Sequence, residues 1–205
     1  PASQAAFIRY VIGTIILLPF ILPLIKQSIN KKDLIIYIFR GFAHGAGVIL
    51  WFYAMSRIPI AEVTAISYTG PIYISIGAAI FFGEKLALRR IIAIFIAFIG
   101  VYILTGSPNL DGKFLGISLT ILGSAIWALG QVIVKPLSKK INPIVLVAWL
   151  ALFAGPTLIL LSNLIEGNSL NYISSAKMDH WIIAFYIGFI MQPITYGCFY
   201  YVLKN

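Results

Sequence analysis

The chain has 205 residues, 60% hydrophobic and 10% charged, with a formal net charge of +9 and a mean hydropathy of +0.98. Soluble domains carry roughly 45–50% apolar and about 25% charged residues, so a water-soluble fold is excluded and an integral membrane protein is predicted. The single cysteine, Cys198, excludes an internal disulfide, and the sequence holds no metal-ligand cluster.

In chain order, runs apolar enough to cross a bilayer, about 20 residues at ~1.5 Å each, fall at 4–24, 34–56, 61–83, 87–106, 114–137, 143–164 and 180–203. Seven spanning helices are therefore predicted. Turn and cap chemistry marks the connections, as in "SRIP" at 56–59, "TGSPNLDG" at 105–112 and "KKINP" at 139–143. Only the link around 165–178, "IEGNSLNYISSAKM", is long. The runs are too long for strands, and no alternation of period two persists.

Alternate connections differ in charge. One side carries Lys26, Lys31 and Lys32, then Lys85, Arg89 and Arg90, then Lys135, Lys139 and Lys140, and finally Lys204. The other carries Arg57, Lys113 and Lys177 among Glu62, Asp111, Glu166 and Asp179. The excess of Lys and Arg places the first side in the cytoplasm, with residue 1 outside and the chain ending inside. The positive charge is thus a topology signal, and nucleic acid is not expected as a partner.

Residues 35–53, "IIYIFRGFAHGAGVILWFY", align at one constant offset with 182–200, "IIAFYIGFIMQPITYGCFY". Both begin Ile-Ile, share Gly-Phe and finish Phe-Tyr. The two segments lie five crossings apart, so they run in opposite directions, which is the pattern of an inverted five-helix repeat. On that period the first helix of the first repeat is expected before Pro1 and two more helices after Asn205, giving ten in all.

The stretch 51–104 carries Tyr53-Ala54-Met55, Pro59-Ile60-Ala61, an internal Pro71, Gly83-Glu84 and Gly100-Val101. It resembles the EamA-like branch of the drug/metabolite transporter superfamily, from whose "YAL" it departs at Met55. Residues 116–137, "GISLTILGSAIWALGQVIVKPL", are similar to that family's sixth helix. The resemblance implies an all-α polytopic membrane protein of ten helices with both ends cytoplasmic. The expected divisions are residues 1–107, a first repeat lacking its first helix, and 112–205, a second lacking its last two.

Polar residues are expensive in lipid and are expected to face an interior. They recur at helical spacing as Arg40, His44, Gly47 and Trp51; as Thr64, Tyr68, Pro71 and Ser75; as Thr120, Ser124, Trp127 and Gln131; and as Gln192, Tyr196 and Phe199. His44, Pro71, Ser124 and Gln192 fall near mid-span, which predicts one midplane substrate cavity. The expected cavity residues are Arg40, His44, Trp51, Tyr68, Pro71, Ser75, Ser124, Trp127, Gln131, Gln192 and Tyr196. Arg40 suits an anionic substrate group or snorkelling to the interface. His44 suits proton coupling, a bond to substrate, or a satisfied buried ring. Hydroxyl and small residues also simply pack helices, and Ser67, Ser75 and Ser124 are open to that role.

Ala93, Ala97 and Gly100 form a small-residue face suited to packing or to a homodimer. Trp149 and Trp181 suit interfacial anchors, and Arg9 suits the outer end of the first segment. Pro71 is expected to kink its helix beside the substrate path, with Glu84 capping the helix that begins near Ala87.

No Gly-x-Ser-x-Gly, His-Glu-x-x-His or phosphate-loop motif is present. The expectation is a secondary transporter, not an enzyme, needing no cofactor. The resemblance implies small metabolites or drugs as substrates, proton drive, and multi-pass residence in a bacterial inner membrane. The alternative is a membrane-embedded enzyme or receptor scaffold. The complete reading frame is expected to encode one helix before Pro1 and two after Asn205, which sequencing the gene checks; a stop codon after Asn205 would contradict the repeat.

Overall fold

Among the described residues, eight helices form in the order the hydropathy dictates. The computed structural model describes residues 2–25, 30–85, 88–105, 113–138, 140–141, 143–166 and 177–191, together with Ile194 and Cys198. The helices are α1 (Ala2–Ile25), α2 (Lys31–Met55), α3 (Ile60–Ser67), α4 (Gly70–Phe82), α5 (Leu88–Thr105), α6 (Phe114–Ser138), α7 (Pro143–Glu166) and α8 (Met178–Tyr186). A π-helical turn, Ile187–Met191, continues α8. No strand occurs among the described residues.

Among the described residues, four stretches are long and apolar enough to cross a membrane: Lys31–Met55, Ile60–Phe82, Phe114–Ser138 and Val145–Leu164. Shorter apolar helices run over Phe7–Ile16 and Met178–Ile190. Large apolar side chains such as Ile80, Phe95, Ile103 and Leu164 are exposed, the surface expected of a chain solvated by lipid tails.

The third predicted span is two helices rather than one. At the break, the Tyr68 N–H is shared between the Thr64 and Ala65 carbonyls, and Thr69 donates to Ile66 at 3.0 Å. These tight bonds are 3₁₀-like. Pro71 explains the break, because it has no N–H for the Ser67 carbonyl and suits the first turn of a new helix, where that donor is not needed. At its far end α4 stops at Gly83, whose φ of 64° is left-handed, with Gly83 donating to Ala79 and Glu84 to Ala78. That is a glycine C-cap. The expected capping by Glu84 of a helix beginning near Ala87 falls on positions 86 and 87, outside the described residues.

The chain packs as two compact units, residues 1–45 with 133–205, and residues 46–132. These units are defined by packing, and the repeats by sequence; one division does not bear on the other. In the first unit the core is Tyr37, Val134, Leu137 and the run Val145–Trp149. Trp149 stacks between Tyr37, at 5.4 Å and 10°, and Phe153, at 5.8 Å and 14°. It is buried and serves the core, not the interface expected of it, whereas Trp181 is 38% exposed. Gly41 and Gly45 let α2 approach α7: a β-carbon on Gly41 would overlap Phe153, and one on Gly45 would lie 2.9 Å from the Thr157 methyl. The π turn rests on α1, where a β-carbon on Gly188 would lie 2.9 Å from the Arg9 carbonyl oxygen.

In the second unit Ala54, Ile58 and Val63 form a smaller core. There α2 and α6 meet backbone to backbone. A β-carbon on Gly47 would lie 2.9 Å from the Gly123 carbonyl oxygen, and one on Gly123 3.0 Å from that of Gly47. Small residues at such a crossing let two backbones meet, the main route to helix association without a hydrophobic driving force. By contrast Ala93 on α5 is exposed, and a β-carbon on Gly100 would meet nothing within 4 Å.

Gly123→Val in the full-length protein should therefore cost about 1–3 kcal/mol by overpacking. Gly100→Val should leave stability nearly unchanged. Thermal unfolding midpoints in detergent check the contrast.

Candidate functional site

Arg40 and His44 lie one turn apart on α2, and both are only 1% exposed. A charge held there in hydrocarbon must find polar partners or be neutralised. Arg40 meets this need within the first unit: its Nη1 donates to the Leu146 carbonyl at 2.9 Å, tying α2 to the first turn of α7. The His44 Nε2 shares a hydrogen bond with the hydroxyl of Tyr10 on α1. The two rings meet edge-on at 5.6 Å and 76°, and Tyr10 is wholly buried.

The Arg9 guanidinium sits 5.1 Å from the centre of the Tyr10 ring. Arg9 thus sits against the ring whose hydroxyl meets His44. The first unit therefore gathers two guanidinium groups, an imidazole and a phenol around the middle of α2.

The second unit gathers aromatic groups. Trp51 donates its indole N–H to the Ser67 hydroxyl at 2.8 Å, and Ser67 donates to the Val63 carbonyl at 2.7 Å. Trp127, on α6, packs across to the break: a β-carbon on Gly70 would lie 3.4 Å from its ring, and one on Gly47 3.2 Å from its Cβ. Two indoles thus flank the α3–α4 break, one on the last residue of α3 and one on the first of α4. Ser124 and Gln131 are buried on α6, and so is Thr120, which donates to the Gly116 carbonyl at 2.9 Å. Thr64 and Ser75 bond the Ile60 and Pro71 carbonyls of their own helices. Tyr68 and Pro71 turn outward and are exposed. Where α3 begins, Glu62 pairs with Lys113 at 2.7 Å.

Within each unit the sequence-predicted residues fall into two groups: Arg40 with His44, and Trp51, Tyr68, Pro71 and Trp127 around the break. Gln192 and Tyr196 lie outside the described residues. Tyr10 was not foreseen as a partner of His44. The available signal was its spacing with Gly13 and Thr14, which puts three non-aliphatic residues on one face of an otherwise oily helix. A separate groove of about 320 Å³ between α1 and α7, lined by Phe7, Val11, Ala151 and Pro156 among others, holds none of the predicted site residues. No group of three or more potential metal ligands occurs among the described residues.

An all-helical chain with several membrane-spanning helices and polar clusters at mid-span is a multi-pass membrane protein of the transporter type. Residues 1–106 and 114–205 match the EamA-like transporter family, and the chain belongs to it. It is 29% identical over 188 residues to a riboflavin transporter of Brucella anthropi, covering 92% of this chain and 66% of that protein. It is 29% identical over 164 residues to a riboflavin transporter of Vibrio cholerae, covering 79% and 55%. With an S-adenosylmethionine uptake transporter of Rickettsia bellii it shares 28% over 108 residues, 53% of this chain and 37% of that one. The chain thus spans about two thirds or less of the length of these relatives.

Tyr10→Phe would leave the buried imidazole short of a partner and should cost about 1–3 kcal/mol. Breaking the part-exposed pair with Lys113→Ala should cost no more than about 1 kcal/mol. Denaturation of the two full-length variants side by side measures the difference.

Proposed function

We propose that the full-length protein is a secondary transporter that carries a small metabolite across a bacterial inner membrane without chemically altering it. The observation that carries this reading is the placement of Arg40 and His44, fully buried halfway along a spanning helix, in a chain of a transporter family. Intramembrane ionisable residues mark substrate or ion pathways. The names of the relatives, riboflavin and S-adenosylmethionine transporters, support a small organic substrate.

In this reading the two inverted repeats alternate access to a midplane substrate site. Its residues are those of the polar stripes: Arg40, His44, Trp51, Tyr68, Pro71, Ser75, Ser124, Trp127, Gln131, Gln192 and Tyr196. Arg40 supplies positive charge, and the His44–Tyr10 pair is the proton-exchanging element, since an imidazole beside a phenol can pass a proton along one hydrogen bond. A homodimer would use the α5 face carrying Ala93 and Gly100. No nucleotide-binding motif accompanies these features, which agrees with an ion gradient as the energy source.

Full-length protein in proteoliposomes is expected to show substrate-dependent flux of riboflavin or S-adenosylmethionine. Replacing Arg40 and His44 together by Gln should lower that flux at least about tenfold, the scale of one hydrogen bond to a charged group. Flux that survives both changes removes these residues from the site and keeps the transporter. Catalytic turnover of a metabolite without flux favours a membrane-embedded enzyme instead.

A further inference from the structure

The break between α3 and α4 has an unusual surround. Trp51 holds the last residue of α3 through its indole N–H, at 2.8 Å from the Ser67 hydroxyl. Trp127 lays the edge of its ring on Gly70, the first residue of α4, where a β-carbon would lie 3.4 Å away. Its ring is only half-buried. Near Gly70 in the chain, Tyr68 is 63% exposed and Pro71 is exposed, both at the middle of a 23-residue spanning stretch.

Tyrosine in membrane helices belongs at the water interfaces, and a polar side chain turned outward at mid-depth is costly against acyl chains. The hydroxyls of Thr64, Ser67 and Ser75 are spent on carbonyls of their own helices. Tyr68 is the polar group of this stripe that points away. The Ser67 carbonyl also lacks a helical donor, because the residue four positions on is Pro71. The surface therefore offers flat aromatic area, a phenol, and a backbone acceptor. It lacks a formal charge of its own.

Flat aromatic area with one acceptor at its rim suits a planar heteroaromatic ring bearing an edge N–H. We propose that the transported substrate carries such a ring and that the ring stacks on Trp127 beside the break, its edge N–H donating to the Ser67 carbonyl. Tyr68 and Pro71 border the ring. The inference rests on the transporter reading above and names its substrate class. Riboflavin and S-adenosylmethionine, the compounds in the relatives' names, differ in charge and in their flexible portions, yet both contain a planar nitrogen heterocycle.

Equilibrium binding to the full-length protein in nanodiscs tests this without needing flux. The ring probes are lumiflavin, followed by quenching of its own fluorescence, and adenosine, followed by calorimetry. Ribitol and methionine are the ringless controls. At least one ring probe should bind, and neither control should displace it. Trp127→Leu should weaken ring binding about tenfold or more, and Trp127→Phe by less than about threefold, since a smaller aromatic face still stacks. Tyr68→Ala, at an exposed position outside the packed core, should weaken it by about threefold and serves as the second variant if Trp127→Leu does not fold. Trp149→Phe, in the other unit, should bind as the parent does.

Failure of both rings to bind overturns the proposal. So does full affinity in the Trp127→Leu variant, or in Tyr68→Ala where that variant must stand in. Flux of a ringless metabolite in either case leaves the transporter reading standing, whereas ring binding without flux of any metabolite counts against that reading and not against the subsite.

Discussion

A chain that crosses hydrocarbon must satisfy its own backbone, because no water is present to do so. Nearly every local feature of this protein follows from that constraint. The described residues of the predicted spans close as helix, and the hydroxyls of Thr14, Thr64, Ser67, Ser75, Thr120 and Thr157 return to a carbonyl four residues back. At the α3–α4 break the helix itself is interrupted, where proline withholds a donor. There the polar groups that are left over gain value, because they are the few that a bound molecule can use.

Charge is handled by the same rule. Arg40 and His44 would be untenable on a helix standing alone in lipid. They persist because α7 offers a carbonyl and α1 a phenol at the right level. Burial of this kind is costly to evolve and to keep, which is why such groups are better read as functional than as incidental. The aromatic surround of the break and the cationic middle of α2 are chemically different, one suited to a flat neutral face and the other to negative charge or a proton.

Much of this was legible in the sequence. The spans were, because apolar run length maps directly onto helix length; the predicted 114–137 and the observed Phe114–Ser138 differ by one residue. The disturbance at Pro71 was legible too, since a missing N–H is a property of the residue type. Helix faces could be read from spacing, which is how Arg40 with His44, and Thr64 with Tyr68 and Pro71, were singled out. What periodicity does not encode is the partner across the gap. Tyr10 with His44, Trp149 between Tyr37 and Phe153, and Lys113 with Glu62 depend on which helices pack together and at what height. Trp149 was misread for that reason, as a tryptophan near a helix end looks the same in sequence whether it faces headgroups or a neighbouring ring. The "GFAHGAG" run at 41–47 carried a packing signal in its three glycines, but which of them meets α7 and which meets α6 is a matter of geometry.

The discontinuous make-up of the two packing units has a consequence for biosynthesis. Residues 46–132 are contiguous, so that unit can assemble as soon as α6 has left the ribosome. The other unit cannot, because its earlier portion, residues 1–45, waits for residues 133 onward. During that interval His44 already has Tyr10 in the membrane with it, made 34 residues earlier. The Leu146 carbonyl that Arg40 bonds follows 106 residues behind it. The bond from Arg40 to α7 therefore closes only after α3, α4, α5 and α6 have been made, which delays the tie between α2 and α7 until late in synthesis.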